Sequence, residues 1–206
     1  MRGNITLIGL DLNYLNTKLV ENSLKIISNT SVYSLNNVES LVLLAGASSS
    51  NTVMSINCGN NVGNEICMLK GARRRRLIEV PIMTIDKLVD DHIPSRIVDI
   101  LIIDTEGHDP LVLEGAKSIL KEGGIKIIVF EYHSIGVWNK YQLKKIVADM
   151  DLLYGYSCYF MGQNLLWRLT GNCWNDIYEF HEWSNVMCVL RRDKCRMNRL
   201  KGLVVK

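Results

Sequence analysis

Residues 104–108 read Asp-Thr-Glu-Gly-His, so three ionisable side chains fall within five positions around one glycine. Carboxylates beside an imidazole shift one another's protonation, which is what proton transfer near neutral pH requires. An ordinary imidazole, with a pKa of about 6.5, is mostly neutral at about pH 7 and can act as a base. His108 is therefore the first candidate base, with Glu106 placed to orient it and Asp104 beside them. A plainer reading stands next to this one: Asp104 and Asp109 cap backbone groups and Glu106 makes a structural ion pair. Residue types alone leave the two open. Asp104 and Glu106 are too few to define a divalent-ion site, so no metal is expected.

Other residues with chemical potential lie at similar places in the pattern. Asp11 ends the apolar run Ile5–Leu10, and Glu131, Tyr132 and His133 follow the apolar run Ile125–Phe130. Glu131 reads as an orienting or ligand-contacting carboxylate rather than a proton carrier, with a carboxylate bonded to backbone as the structural alternative. Trp167, Trp174 and Trp183, with Tyr178 and His181, offer stacking faces for a ring, although aromatics so spaced are more often core. Arg73–Arg76 reads as a solvated charge run before it reads as an anion site. Six cysteines, at 58, 67, 158, 173, 188 and 195, include no Cys-x-x-Cys pair, so reduced and mostly buried thiols are expected.

The elements that position these residues follow from periodicity. Ile5–Leu10 reads as a strand, and Asn13 is a good N-cap for a helix carrying Leu15, Leu19 and Val20. Leu41–Leu44 is a strand entering the small-residue loop Ala45–Ser50, and Val53–Ile56 is one possible strand. The segment Asn57–Asn64 reads as a loop. Thr84 N-caps a short helix with Ile85, Leu88 and Val89. Val98–Ile103, apolar but for Asp99, has the pattern of a strand covered on both faces. Asp109 and Pro110 suit N-cap and N1 of one helix whose face is Val112, Leu113, Ala116, Ile119 and Leu120, ended by Gly123-Gly124. Ile125–Phe130 is a strand, Leu143, Ile146, Val147 and Met150 mark a helix, and Tyr156–Met161 and Asn185–Leu190 are the last strands. Such alternation argues for an α/β fold with a mostly parallel sheet and helices on both faces. Ligands of such sheets bind beyond the carboxyl ends of the strands, where loops converge and helix N-termini lie free.

Composition narrows the partners. The 206 residues carry 24 basic and 21 acidic side chains, a formal charge of +3, which is far from the balance of a dedicated nucleic-acid binder. No apolar run reaches the roughly 18–20 residues that span a bilayer. The first residues lack the apolar core and cleavage site of a secretory signal, so a cytoplasmic location is expected.

Three segments together resemble the FkbM family of methyltransferases: Val80-Pro81-Ile82-Met83-Thr84-Ile85-Asp86-Lys87-Leu88, then Ile100–Asp109, then Val112-Leu113-Glu114-Gly115-Ala116-Lys117. The strand ending Phe130-Glu131-Tyr132 is similar too. The resemblance runs from about Ile5 to Arg192 and is diagnostic between Val80 and Tyr132. It implies a Rossmann-like class I methyltransferase using S-adenosylmethionine on a hydroxyl of a sugar-containing or other small acceptor. Asp11 and Asn13 then fall where the cofactor ribose is held, and Ala45, Gly46, Ala47 and Ser48 near the adenine. Glu106, His108, Asp104 and Glu131 fall where acceptor and methyl donor meet. The family also needs a first strand and glycine-rich turn upstream of the acidic strand. The sequence starts beyond that point, so it reads as an N-terminally incomplete domain over residues 1–193 with a basic tail, 194–206. A remnant that keeps the fold but not the cofactor is the alternative.

Overall fold

Where apolar residues run in short β-branched stretches the chain forms strands, and where they recur at helical spacing it forms helices. The computed structural model describes residues 5–28, 38–56 and 78–205. The Asn57–Asn64 loop and the run Arg73–Arg76 lie outside the described residues. The chain divides into two units, Met1–Met83 and Thr84–Lys206.

In the first unit, β1 (Ile5–Asp11) pairs in parallel with β2 (Val38–Leu44), and α1 (Tyr14–Ser28) connects them. Leu19 and Val20, expected on the buried face of that helix, are exposed. A second sheet sets β5 (Ile78–Met83) between β3 (Gly46–Ala47), parallel to it, and β4 (Thr52–Ile56), antiparallel.

The second unit opens with α2 (Ile85–His92), whose N-cap Thr84 accepts the Lys87 N–H at 3.1 Å as expected. Next come β6 (Val98–Ile103), α3 (Asp109–Glu114), α4 (Lys117–Glu122), β7 (Ile125–Tyr132), α5 (Leu143–Leu152), β8 (Tyr156–Met161), β9 (Leu166–Arg168), β10 (Ser184–Leu190), α6 (Lys194–Leu200) and β11 (Val204–Val205). Its six-stranded sheet has the order β11-β9-β8-β10-β7-β6. Only β6–β7 and β9–β11 are parallel; β10 enters antiparallel between β7 and β8, and β8–β9 are antiparallel. The sheets are mixed, which corrects the expectation of a mostly parallel one. Apolarity marks a buried strand but not its direction, and β9 joins β8 through a short connection where a parallel strand would need a longer crossover. Residues 194–205, read as a tail, form α6 and β11, and Arg196 of α6 pairs with Asp99.

Three further expectations change. Strand β6 is not covered on both faces: Ile103 is buried, whereas Ile100 and Ile102 on the other face are exposed, in keeping with its place at the end of the sheet. The single helix expected from Asp109 to Gly123 is two, because the Asp86 carboxylate accepts the N–H groups of Ser118 and Ile119, each at 2.9 Å, and starts a new helix there. Gly123, at φ 62°, ends it as expected. Cys158 and Cys188 form a disulfide rather than two thiols. They are register partners on β8 and β10, a proximity set by strand pairing across 30 residues and invisible in sequence spacing. Among the described residues, no helix is long and apolar enough to cross a membrane.

The core of this unit is dominated by Phe130, Tyr132, Trp138, Leu143 and Tyr156, all fully buried. The Tyr156 hydroxyl donates to the Ile125 carbonyl at 2.6 Å, so its polar atom is satisfied inside that core. Removing the Asp86 cap from α4 is expected to cost about 1–2 kcal/mol. Urea unfolding of Asp86→Ala checks this, and a midpoint equal to that of the parent would refute the capping role.

Candidate functional site

The turn after β6 is held in a conformation that few sequences accept. Glu106 has φ 50° and Gly107 φ 89°, two left-handed residues in succession. Left-handed backbone at a non-glycine residue costs of the order of 1–3 kcal/mol and persists only where the surroundings enforce it. Here a second loop enforces it. A Cβ on Gly107 would lie 2.4 Å from the Ile135 carbonyl oxygen, and one on Gly136 would lie 2.6 Å from the Gly107 oxygen. Val137 N–H donates to the Gly107 carbonyl at 2.9 Å. The turn after β6 and the loop after β7 thus touch backbone to backbone.

Asp109 completes the attachment. Expected as an N-cap, it is the first residue of α3, with His108 at the cap position. Its buried carboxylate accepts the Thr105 hydroxyl at 3.0 Å and the Glu131 N–H at 3.1 Å. Burial pushes its pKa up, and the hydrogen bonds from Glu131 and Thr105 pull against that rise. His108 is half-buried, and its Nδ1 lies 3.2 Å from the Thr105 carbonyl. A carbonyl only accepts, so Nδ1 carries the proton and Nε2 keeps its lone pair when the ring is neutral.

At the end of β7 Tyr132 is turned into the core, and the side chain of His133, just past the strand, comes within 3.8 Å of the Glu131 carboxylate. Glu131 is the register partner of Asn185. Its Oε1 accepts the Trp183 indole N–H at 3.1 Å. Burial pushes the Glu131 carboxyl up, Trp183 pulls it down, and the charges of Asp104 and Asp109 push it up again. His133 is 2% exposed, and its Nδ1 accepts the Ile135 N–H at 3.0 Å, so its neutral ring carries the proton on Nε2. The Trp183 ring stacks on it at 4.6 Å between centroids.

In the first unit, the Asp11 carboxylate accepts the Asn13 N–H at 2.6 Å and the Asn16 amide at 3.0 Å. Its carbonyl accepts the Ala45 N–H at 3.2 Å, so Asp11 and the start of the Ala45–Ser48 segment meet where parallel strands β1 and β2 end. Gly46 is buried against Leu12 and Ile82, and Ser48 N–H donates to the Met83 carbonyl at 3.0 Å.

Of the residues singled out in sequence, the structure gathers Asp104, Glu106, His108 and Glu131 at the ends of β6 and β7 in the second unit. It gathers Asp11, Asn13 and Ala45 in the first. Asp109 and Gly136 belong to the second group and were not chosen as site residues from the sequence, whereas His133, noted at a strand end, and Trp183, noted as a stacking face, join it too. For His133 a signal existed, since it follows the same strand end two residues after Glu131. For the pairing of Trp183 with Glu131 and of Gly136 with Gly107 none did, because those partners are 52 and 29 residues apart in sequence. Among the described residues, no three or more His, Cys, Asp or Glu side chains are arranged to hold a metal ion.

Each unit sets carboxylates at the ends of parallel strands, the edge at which α/β folds bind their ligands, and the sequence comparison supplies the family. The model of the methyltransferase FkbM domain matches residues 12–158, more than half of the chain. The chain therefore belongs to the FkbM methyltransferase family. No curated protein and no solved structure matches it significantly.

Gly107→Ala is expected to lower stability by at least about 2 kcal/mol, since strain and a backbone clash add. Gly155→Ala, at φ 77° but with open space around it, is expected to lose about 1 kcal/mol from the backbone alone. Chemical unfolding of both variants checks the difference, and equal losses would remove the clash from the account.

Asp109 also makes stability depend on pH. Its folded pKa lies above the ordinary 3.8, so its charge costs the fold at pH above the folded value. That cost fades as pH falls through the folded pKa and is gone below 3.8. Asp109→Asn, which has no charge to bury, is expected to compare best with the parent above that window and worst below it. Urea midpoints of both proteins measured across the window check this; a difference that does not vary with pH would refute it.

Proposed function

We propose that this chain transfers the methyl group of S-adenosylmethionine to a hydroxyl of a sugar-containing or other small-molecule acceptor. The observation that carries the reading is the set of acids and imidazole around the strained Glu106-Gly107 turn, at the adjoining ends of parallel strands β6 and β7. Ligands of α/β sheets bind beyond such ends.

The donor set at Asp11 fits the cofactor's ribose. Each of its oxygens accepts one N–H from the following turn, and a carboxylate has lone pairs to accept two hydroxyls besides. Asn13 holds that carboxylate through its own N–H, and Ala45, Gly46, Ala47 and Ser48 border the adenine side. S-adenosylmethionine supplies, when bound, a methyl group on a positively charged sulfur that leaves by in-line displacement.

The chain's part is then alignment and proton removal. His108 takes the hydroxyl proton on Nε2, the nitrogen left with a lone pair by the Nδ1–H bond to Thr105. Glu106 orients that ring. Asp104 and Glu131 surround the acceptor with negative potential, which stabilises the imidazolium formed as the methyl group moves. A second reading, a binding module that keeps the fold without the cofactor, differs in one measurable respect.

Isothermal titration with S-adenosylhomocysteine separates the two. Saturable binding that Asp11→Ala weakens by about tenfold or more supports the enzyme. No heat of binding at high ligand concentration would leave the binding module standing.

A further inference from the structure

Two buried polar atoms in the second unit lie close together without a hydrogen bond. Glu131 Oε2 and His133 Nε2 are both buried, have no hydrogen-bond partner among the described residues, and lie 3.8 Å apart. Orphaned polar atoms are costly in a folded protein and ask for an explanation. Their chemistry is complementary: because His133 Nδ1 accepts the Ile135 N–H, Nε2 carries a proton to donate, while the Glu131 oxygen accepts. One donor beside one acceptor is the counterpart of a hydroxyl group, which offers one of each. Across 3.8 Å, an oxygen can sit at hydrogen-bond distance from both.

One exposed side chain contacts both residues. The Trp183 indole stacks on His133 and donates to the other oxygen of Glu131, yet it is itself 57% exposed. It thus touches both residues of the pair while more than half of its own surface faces solvent. Trp183 also lines a cavity of about 420 Å³ together with Phe160, Trp167, Tyr178 and Phe180, with Ser184 and Asn185 as polar members. Aromatic walls with a polar edge suit a ring that is apolar on its faces and hydroxylated at its rim.

We infer that Glu131 and His133, both in contact with Trp183, clamp a hydroxyl of the acceptor other than the one that is methylated. An N–H donated to an oxygen draws on its lone pair, which weakens a nucleophile, so a hydroxyl held this way is a handle. The two histidines divide the work by tautomer: His108 has an unprotonated Nε2 for the proton, His133 a protonated one for the handle. The acceptor is then a polyhydroxylated ring. This rests on the methyl-transfer reading above and adds a requirement that reading lacks.

The test incubates the full chain with methyl-labelled S-adenosylmethionine and either methyl glucopyranoside or cyclohexanol as acceptor. Label is expected on the pyranoside and not on the mono-alcohol. His133→Gln is expected to raise KM for the pyranoside about tenfold while kcat stays within about threefold. His133→Asn serves the same comparison if His133→Gln does not fold. Equal transfer to both alcohols, a loss in kcat with KM unchanged, or binding of S-adenosylhomocysteine without any transfer to the pyranoside would each overturn the clamp. Should S-adenosylhomocysteine not bind, the methyl-transfer reading fails by itself. Pyranoside quenching of tryptophan fluorescence that is lost in His133→Gln then upholds the clamp, and an absence of quenching in the parent overturns it.

Discussion

A single buried carboxylate holds the second unit's site together. Asp109 is fully buried, and a charge so placed survives only when its oxygens are taken up by donors. One donor is the Thr105 hydroxyl, inside the turn that follows β6, and the other is the Glu131 N–H, on the neighbouring strand. The same bonds that stabilise the charge therefore fix the turn and the strand end relative to each other. Asp109 thereby fixes the turn that carries Asp104, Glu106 and His108 against the strand end that carries Glu131.

Around that anchor, identical residue types acquire different chemistry from backbone contacts alone. His108 faces a carbonyl and must carry its proton on Nδ1; His133 faces an N–H and must carry it on Nε2. Glu131, partly buried and close to two other carboxylates, holds its proton more tightly than an exposed glutamate, while the Trp183 N–H works in the opposite sense. None of these distinctions is a property of the side chain. Each comes from where a loop of the same unit presents a donor or an acceptor.

Local order was legible in the sequence, and pairing was not. Strands β6 and β8 begin and end at the residues their apolar runs mark, and Thr84 caps α2 as its type and position require. Those features are decided within a few residues. The mixed sheet, the Asp86 cap that splits α3 from α4, and the Cys158–Cys188 bond are decided between residues about 30 apart, so no local window contains them. The site followed the same division. The charged turn stood out because its residues are contiguous and because the motif resembles a known family. Asp109 was visible as a helix-start residue, but the inward direction of its carboxylate depends on an amide 22 positions later.

The contact between Gly107 and Gly136 has a genetic consequence. At each position an added methyl group would meet main-chain atoms of the other loop, and main chain cannot be trimmed by a second substitution. A side chain at either glycine therefore has no compensating partner mutation within the pair, unlike an overpacked core site, where a neighbour can shrink. A selection for revertants of a substitution at either position should return glycine itself, or changes that shift an entire loop.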